Sequence, residues 1–210
     1  MRDIVSSLLD LLLPPRATER LVRSLTLEQL QNLGANSPAG EALPYHDPRV
    51  TALVWELKYY GTRRSSALAG AYLAEVVLAA ASEELGVPLL IPVPMHRARK
   101  RERGHNQTEL LCKAVLSALQ SSRGAARPML DYAPHALERI IDTKTQQGLP
   151  RQERLRNVKN SMRANRALVD SRACIVVDDV TTTGATLEEV QRALIQAGAR
   201  AVHCIALARS

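Results

Sequence analysis

From Asp47 onward the chain alternates between two hydrophobic rhythms. Val50, Leu53, Val54 and Leu57 recur at the period of one helix face, and a second helical stretch follows over Ser65 to Leu85, with Gly61 and Gly86 placed to stop the two. Three short runs, Leu89 to Val93, Ala173 to Val177 and Ala201 to Leu207, are almost continuously apolar, the pattern of strands covered on both faces. Further helices are predicted over Asn106 to Ser121, Pro150 to Val158 and Ala185 to Gln196, the last making a terminal βαβ unit with its flanking strands. This alternation predicts an α/β fold with a doubly wound, mainly parallel sheet, whose ligands lie beyond the carboxyl ends of the strands.

Residues 1 to 44 read differently. A Leu-rich start leads to Pro14-Pro15, one helical stretch near Thr18 to Leu33, and a turn region containing Gly, Asn, Ser and Pro. The expected organisation is therefore a short N-terminal appendage, 1–44, and one domain, 45–210. The apolar segment Ile4 to Leu13 contains Asp10 and falls well short of the ~20 residues that a membrane span needs. No signal-peptide cleavage pattern follows it, so the expectation is a cytoplasmic protein without a membrane span. Docking of residues 4 to 13 on a partner or a membrane surface is the other use of such a segment.

Composition narrows the function classes. The chain has 210 residues, 46% of them hydrophobic, but only 3% aromatic and no Phe, so Leu, Val, Ile and Ala must fill the core. Few rings remain for stacking on bases, which weighs against a stacking-based nucleic-acid reader. The net charge of +7 favours anionic partners, phosphates or nucleic acid, without choosing between them. Cys112, Cys174 and Cys204 are widely spaced in apolar settings, which suits reduced core residues rather than a disulfide framework or a zinc site.

The segment Cys174 to Thr186 runs from an apolar strand into Asp178 and Asp179, then through Val180, Thr181, Thr182, Thr183 and Gly184 into a helix at Ala185 and Thr186. A tight turn at a helix N-terminus aims backbone N–H groups at one point, where the helix dipole favours an anion. The threonines add hydroxyl donors, and Gly184 lets the backbone approach a phosphate. Two acids before a phosphate nest need a polar target of their own, and a pair of ribose hydroxyls supplies it. The loop thus fits a ribose 5-phosphate. It lacks the Lys of a Walker loop and the glycine spacing of a dinucleotide fingerprint; an acidic strand end with an ordinary Thr cap is the plainer alternative.

Val176 to Leu187 resembles the phosphoribosyl pyrophosphate motif of type I phosphoribosyltransferases. The resemblance implies that Asp178 and Asp179 hold the ribose hydroxyls and Val180 to Thr186 the 5′-phosphate, with Mg²⁺ carried by the ligand near the two aspartates. In purine-salvage relatives the position of Thr182 can carry an aspartate for acid/base work on the base, and threonine does not titrate near neutrality.

Two cationic segments complete the candidate site. Pro94 to Gln107 places Arg97, Arg99, Arg101 and Arg103 at a strand end, a basic loop suited to neutralising pyrophosphate, or else a solvated turn. Thr143 to Val158 is a polar, Gly-containing stretch leading into a short basic helix, the make-up of a mobile lid, with Lys144, Gln146, Arg151 and Arg154 as its candidates. Pro92-Val93-Pro94, His96, Arg99, Arg101 and Arg103-Gly104-x-Asn106-Gln107 resemble the ComF/GntX-type phosphoribosyltransferase-like family. Thr143 to Val158 and Leu57-Lys58-Tyr59-Tyr60-Gly61-Thr62-Arg63-Arg64 are similar to it too, so the resemblance runs from about Pro44 to the C-terminus. Arg97, Lys100 and His105 depart from the family's usual Pro, Leu and Phe; for His105 a packing role is expected over a new donor. That family often carries an N-terminal four-cysteine zinc ribbon; no cysteine precedes Cys112 here, so no zinc is expected.

Two functions follow as expectations. One is a transferase moving ribose 5-phosphate from phosphoribosyl pyrophosphate, with Mg²⁺, to an acceptor the residues do not name. The other is a non-catalytic adaptor. For it the resemblance implies a role in natural competence and DNA uptake, with single-stranded DNA and a competence helicase as partners. Contacts to DNA would then rest on the charge of Arg97 to Arg103 and Arg151 to Arg166. A homo-oligomeric state is left open.

Overall fold

In the computed structural model, which describes residues 16–37, 42–121, 129–141 and 158–210, five parallel strands build the main sheet. Their order is β1 (Leu43–Pro44), β7 (Ala201–Arg209), β6 (Ala173–Thr181), β2 (Leu89–Pro92) and β3 (Asp131–Tyr132). In the central register Leu90 lies beside Ile175 and Val177 beside Ile205. Leu90, Ile175, Val177 and Leu207 enter one buried cluster, while Leu89, Ile91, Cys174 and Val176 enter the other. Period-two alternation with apolar residues on both faces explains the continuous hydrophobic runs.

The first cluster is covered by helices α1 (Ala17–Ser24), α2 (Leu27–Ala35), α3 (Pro48–Tyr59), α4 (Arg63–Ser82) and α6 (Gln107–Ser121); α5 (Arg97–Arg103) precedes α6 in the chain. The second is covered by α8 (Ala185–Gln196) and by the antiparallel pair β4 (Leu137–Arg139) and β5 (Met162–Ala164), after which comes the single turn α7 (Arg166–Val169). Glu189 of α8 accepts from the backbone N–H of Met162 at 3.2 Å and from Arg192, which fastens the helix to β5.

The predicted helices at 50–57 and 65–85 form, started by Asp47, which caps the N–H of Arg49, and by Thr62, which caps that of Ser65. By length and composition α4 could cross a membrane, yet Leu68, Ala69, Leu73 and Val77 bury it in this core. At Gly70 it approaches α6 so closely that a Cβ would collide with that of Ala114.

Several expectations are corrected. The single helix over Thr18 to Leu33 is two, because Leu25 turns inward in extended conformation and Thr26 opens a new helix with a capping box to Gln29. The described part of the expected appendage shares the main core through Val22, Leu25 and Leu30, and its Leu43–Pro44 is an edge strand of the sheet. Buried Glu56 of α3 accepts from Arg16 at 3.0 Å and from Thr18 at 2.6 Å, which ties α1 down. The basic stretch after β2 is helix α5, ended by Gly104 at φ +78°, rather than a loop. Strand β6 continues four residues beyond Val177, so the two aspartates sit on strand backbone. The helix expected over Pro150 to Val158 lies, but for Val158, outside the described residues.

Candidate functional site

At the carboxyl ends of β2 and β6, a cleft opens between α3, α5 and the start of α6. Asp178 and Asp179 form its floor, and both are buried. Asp179 Oδ2 lies 3.3 Å from Lys58 Nζ and accepts from Gln107 Nε2 at 3.3 Å, while its Oδ1 accepts from the N–H of Val180 at 2.9 Å. Asp178 Oδ1 accepts from the N–H of Asp179 at 2.9 Å. Burial, and next the neighbouring Asp179 carboxylate, hold the Asp178 carboxyl far above the ordinary range. Burial would lower the Lys58 ammonium, but Asp179 outweighs it and the net shift is upward.

Gln107 is held there by local chemistry. Asn106 Nδ2 and Thr108 Oγ1 both donate to the carbonyl of Val93, at 3.2 and 2.7 Å, and Asn106 Oδ1 accepts from the N–H of Thr108. This Asx turn clamps the start of α6 to the end of β2 and aims Gln107 at Asp179. Its Oε1 is buried without a hydrogen-bond partner, an acceptor beside a carboxylate that only an incoming donor satisfies.

Of the predicted loop, Asp178, Asp179, Val180 and Thr186 line the cleft. Thr181 ends the strand, buried, with its carbonyl accepting from the N–H of Ser210. Thr182, Thr183 and Gly184 make the turn, in which Thr183 Oγ1 accepts from the N–H of Ala185 at 3.4 Å. Gly184, at φ +84°, is the cap residue of α8 and brings no side chain to its first amides. A φ of that sign strains any residue with a Cβ.

The four predicted arginines part company. Arg99 and Arg103, one turn apart on α5, line the cleft together with His96 and Arg139. Arg97 instead pairs with Glu138 at 2.9 Å, and Arg101 is exposed on the helix face away from the lining residues. Lys144, Gln146, Arg151 and Arg154 lie outside the described residues. His105 is a donor after all: its Nε2 stands 2.9 Å from the carbonyl of Leu57, an acceptor, so that nitrogen carries the proton. The three cysteines are free; burial raises Cys174 and Cys204 to about 11 and Cys112 higher still. Among the described residues no group of three or more His, Cys, Asp or Glu could hold a metal ion.

Sequence reasoning missed Lys58, Gln107, Trp55 and Tyr59 as parts of the site. Lys58, Tyr59 and Gln107 stood in family-like segments without an assigned role. A helical cation 121 residues before its acid has no periodic signature.

Comparison with known proteins decides the family. Residues 69–210 match the phosphoribosyl transferase domain. Over 169 residues the chain is 35% identical to the DNA utilization protein YhgH of Salmonella typhi, a match covering 79% of this chain and 69% of that protein. The chain belongs to the ComF-type phosphoribosyltransferase-like family. Within this ComF-type family, YhgH of Escherichia coli strain K12 is 34% identical over 78% of this chain and 68% of its own. Competence protein F of Haemophilus influenzae is 35% identical over 123 residues, 58% of this chain and 50% of that protein. Among solved structures, an allosteric regulatory enzyme of purine biosynthesis aligns at 17% identity and TM-score 0.42, over 73% of this chain and 30% of that one. A Trypanosoma cruzi hypoxanthine phosphoribosyl transferase aligns at 12% identity and TM-score 0.41, over 69% and 65%. The ComF-type assignment agrees with the α/β fold and mainly parallel sheet described above.

Proposed function

We propose that the cleft binds phosphoribosyl pyrophosphate, or a nucleotide through its ribose 5-phosphate, together with Mg²⁺. The observation that carries this is the buried acceptor set of Asp178, Asp179 and the unpartnered Gln107 Oε1, which calls for hydroxyl donors rather than for another anion. Vicinal ribose hydroxyls supply two donors on adjacent carbons. The 5′-phosphate would then lie against the Thr182–Thr186 turn, where the dipole of the 12-residue α8 favours it. Arg99 and Arg103 face the region that a pyrophosphate on the sugar would occupy.

The residues fit Mg²⁺ held chiefly by its ligand. That ion keeps several waters and takes one or two carboxylates plus phosphate oxygens; here Asp179, and Asp178 once a cation draws off its proton, would be those carboxylates. When bound it would offset pyrophosphate charge. The chain's own part is to orient the ribose and neutralise the leaving group with arginines; phosphoribosyl transfer to an acceptor is the activity this would serve, and Thr182 provides no acid or base for it.

The names of the relatives, DNA utilization and competence, support a place for this cleft in the use of imported DNA. They also support a second reading, an adaptor that handles single strands beside a helicase. Against a DNA surface on α5, Arg97 and Lys100 are already paired with Glu138 and Glu109. DNA held by several cations releases steeply with salt, whereas a preorganised sugar-phosphate pocket loses less.

Thermal unfolding with and without phosphoribosyl pyrophosphate and Mg²⁺ tests the proposal. Ligand at ~100 times its Kd adds about 2.7 kcal/mol, which raises the midpoint by roughly 5–10 °C for a chain of this size. Asp178→Asn/Asp179→Asn should abolish the shift; because it removes the partner of Lys58 as well as a buried acid that resists ionisation, its unfolding without ligand is recorded alongside as the control for folding. No shift at saturating ligand overturns the assignment.

A further inference from the structure

The protein has one Trp and five Tyr and no Phe, and three of those six rings, Trp55, Tyr59 and Tyr60, fall at the end of α3. They do not fill the core: Trp55 is 44% exposed and Tyr59 43%. Tyr60 is engaged elsewhere, beneath the guanidinium of Arg16 at 3.4 Å from its centroid. Trp55 and Tyr59, four residues apart on one helix face, pack against each other at 4.3 Å between centroids with their planes tilted by 42°. Arg103 lies over Tyr59 at 5.4 Å. Both rings line the same cleft as Asp178, Asp179 and Thr186, and Lys58 between them reaches Asp179, fixing the rings' helix beside the floor.

From this we infer that Trp55 and Tyr59, with Arg103, form the platform for a nucleobase, so that the cleft takes a whole nucleotide, its sugar-phosphate in the Asp178–Thr186 region. The inference rests on the ribose 5-phosphate reading above and names the part of the ligand that reading left open. An aromatic pair beside a guanidinium suits a π-face: the base stacks on a ring and the guanidinium adds a cation–π contact, while the phosphate reaches the Thr182–Thr186 turn. Stacking reads any base, so the platform selects nucleotides over bare sugar phosphates without selecting a sequence. A free nucleotide and the 5′-phosphorylated end of a single strand present the same chemistry.

Trp55 is the protein's one tryptophan, so intrinsic emission reports on this ring. The experiment titrates the full chain, with Mg²⁺ and excitation selective for Trp, with AMP, with ribose 5-phosphate and with a short 5′-phosphorylated oligoadenylate. AMP should quench Trp55, and ribose 5-phosphate should raise the melting point without quenching. Equal affinity of the oligonucleotide and AMP assigns the site to a strand end as well; exclusion of the oligonucleotide assigns it to free nucleotides. Tyr59→Ala, which keeps the reporter and truncates a half-exposed ring, should weaken AMP by about 5- to 100-fold and leave ribose 5-phosphate within about twofold. A melting shift with AMP but unchanged Trp55 emission, or equal weakening of AMP and ribose 5-phosphate by Tyr59→Ala, overturns the platform and leaves the sugar-phosphate pocket standing. Quenching by AMP that survives in Asp178→Asn/Asp179→Asn, with no ribose 5-phosphate binding to the wild type, keeps the platform and overturns the pocket. Neither quenching nor a shift overturns both.

Discussion

Replacing Lys58 by Met tests the charge arrangement on which the cleft stands. Lys58 and Asp179 are 3.3 Å apart, which at an effective dielectric of about 20 is a gross attraction of about 5 kcal/mol. Much of that is returned as desolvation, and the Lys58 side chain is 25% exposed, so the pair lies between surface bridges worth up to ~1 kcal/mol and buried ones whose rupture costs ~3–5 kcal/mol. A coupling of about 1–3 kcal/mol follows. The assay is a double-mutant cycle by urea unfolding at neutral pH with Lys58→Met, Asp179→Asn and the combined variant. Lys58→Met alone should lower the melting point by roughly 3–10 °C, since it leaves two buried acids facing each other without their cation. Additivity of the two substitutions within about 0.5 kcal/mol would refute the reasoning and make the pair an incidental surface contact.

Two other consequences concern the same groups. Asp178 is raised by burial first and by Asp179 second, to about 8, so the folded state binds a proton that the unfolded chain releases at ordinary carboxylate pH; the stability it contributes is full in acid and is lost as pH rises through about 8. Asp178→Asn should therefore flatten stability against pH between about 4 and 8 and melt higher than wild type at pH 8, and equal slopes for the two proteins would contradict the assignment. On α5, Arg99→Ala and Arg103→Ala should each weaken phosphoribosyl pyrophosphate by about 10- to 100-fold in calorimetry, as loss of a charged contact does, whereas Arg97→Ala, an exposed partner of Glu138, should stay within about twofold. Equal losses at all three would mean general attraction rather than a shaped site.

The residues that announce themselves in sequence are those whose chemistry is local. Val50 to Leu57, the strands around Leu90 and Val176, and the strand-turn-helix from Asp178 to Thr186 are each written in consecutive or periodic positions, because a helix face, a buried strand and a tight turn into a helix are local geometries. Pairings of two or three residues, such as β3 at Asp131–Tyr132 or β1 at Leu43–Pro44, have no period to read and exist because a long neighbour offers them a ladder. The cleft belongs to the second kind. Which arginines of α5 face it depends on the helix's rotation once Gly104 and the Asn106 turn clamp it, and that rotation sends Arg99 and Arg103 inward and Arg97 to Glu138. Lys58 meets Asp179, and Trp55 and Tyr59 flank the floor, only because α3 docks into the main core against α1 and α4 through Val50, Leu53, Val54 and Leu57. The sequence alone thus determined the fold class and the strand-turn-helix from Asp178 to Thr186, which fits within a dozen residues. Tertiary packing decided the cation on the acids, the orphaned acceptor and the placing of the Trp55–Tyr59 pair beside Asp178 and Asp179, since these depend on residues tens to more than a hundred positions apart and their energy is realised only when the elements carrying them dock.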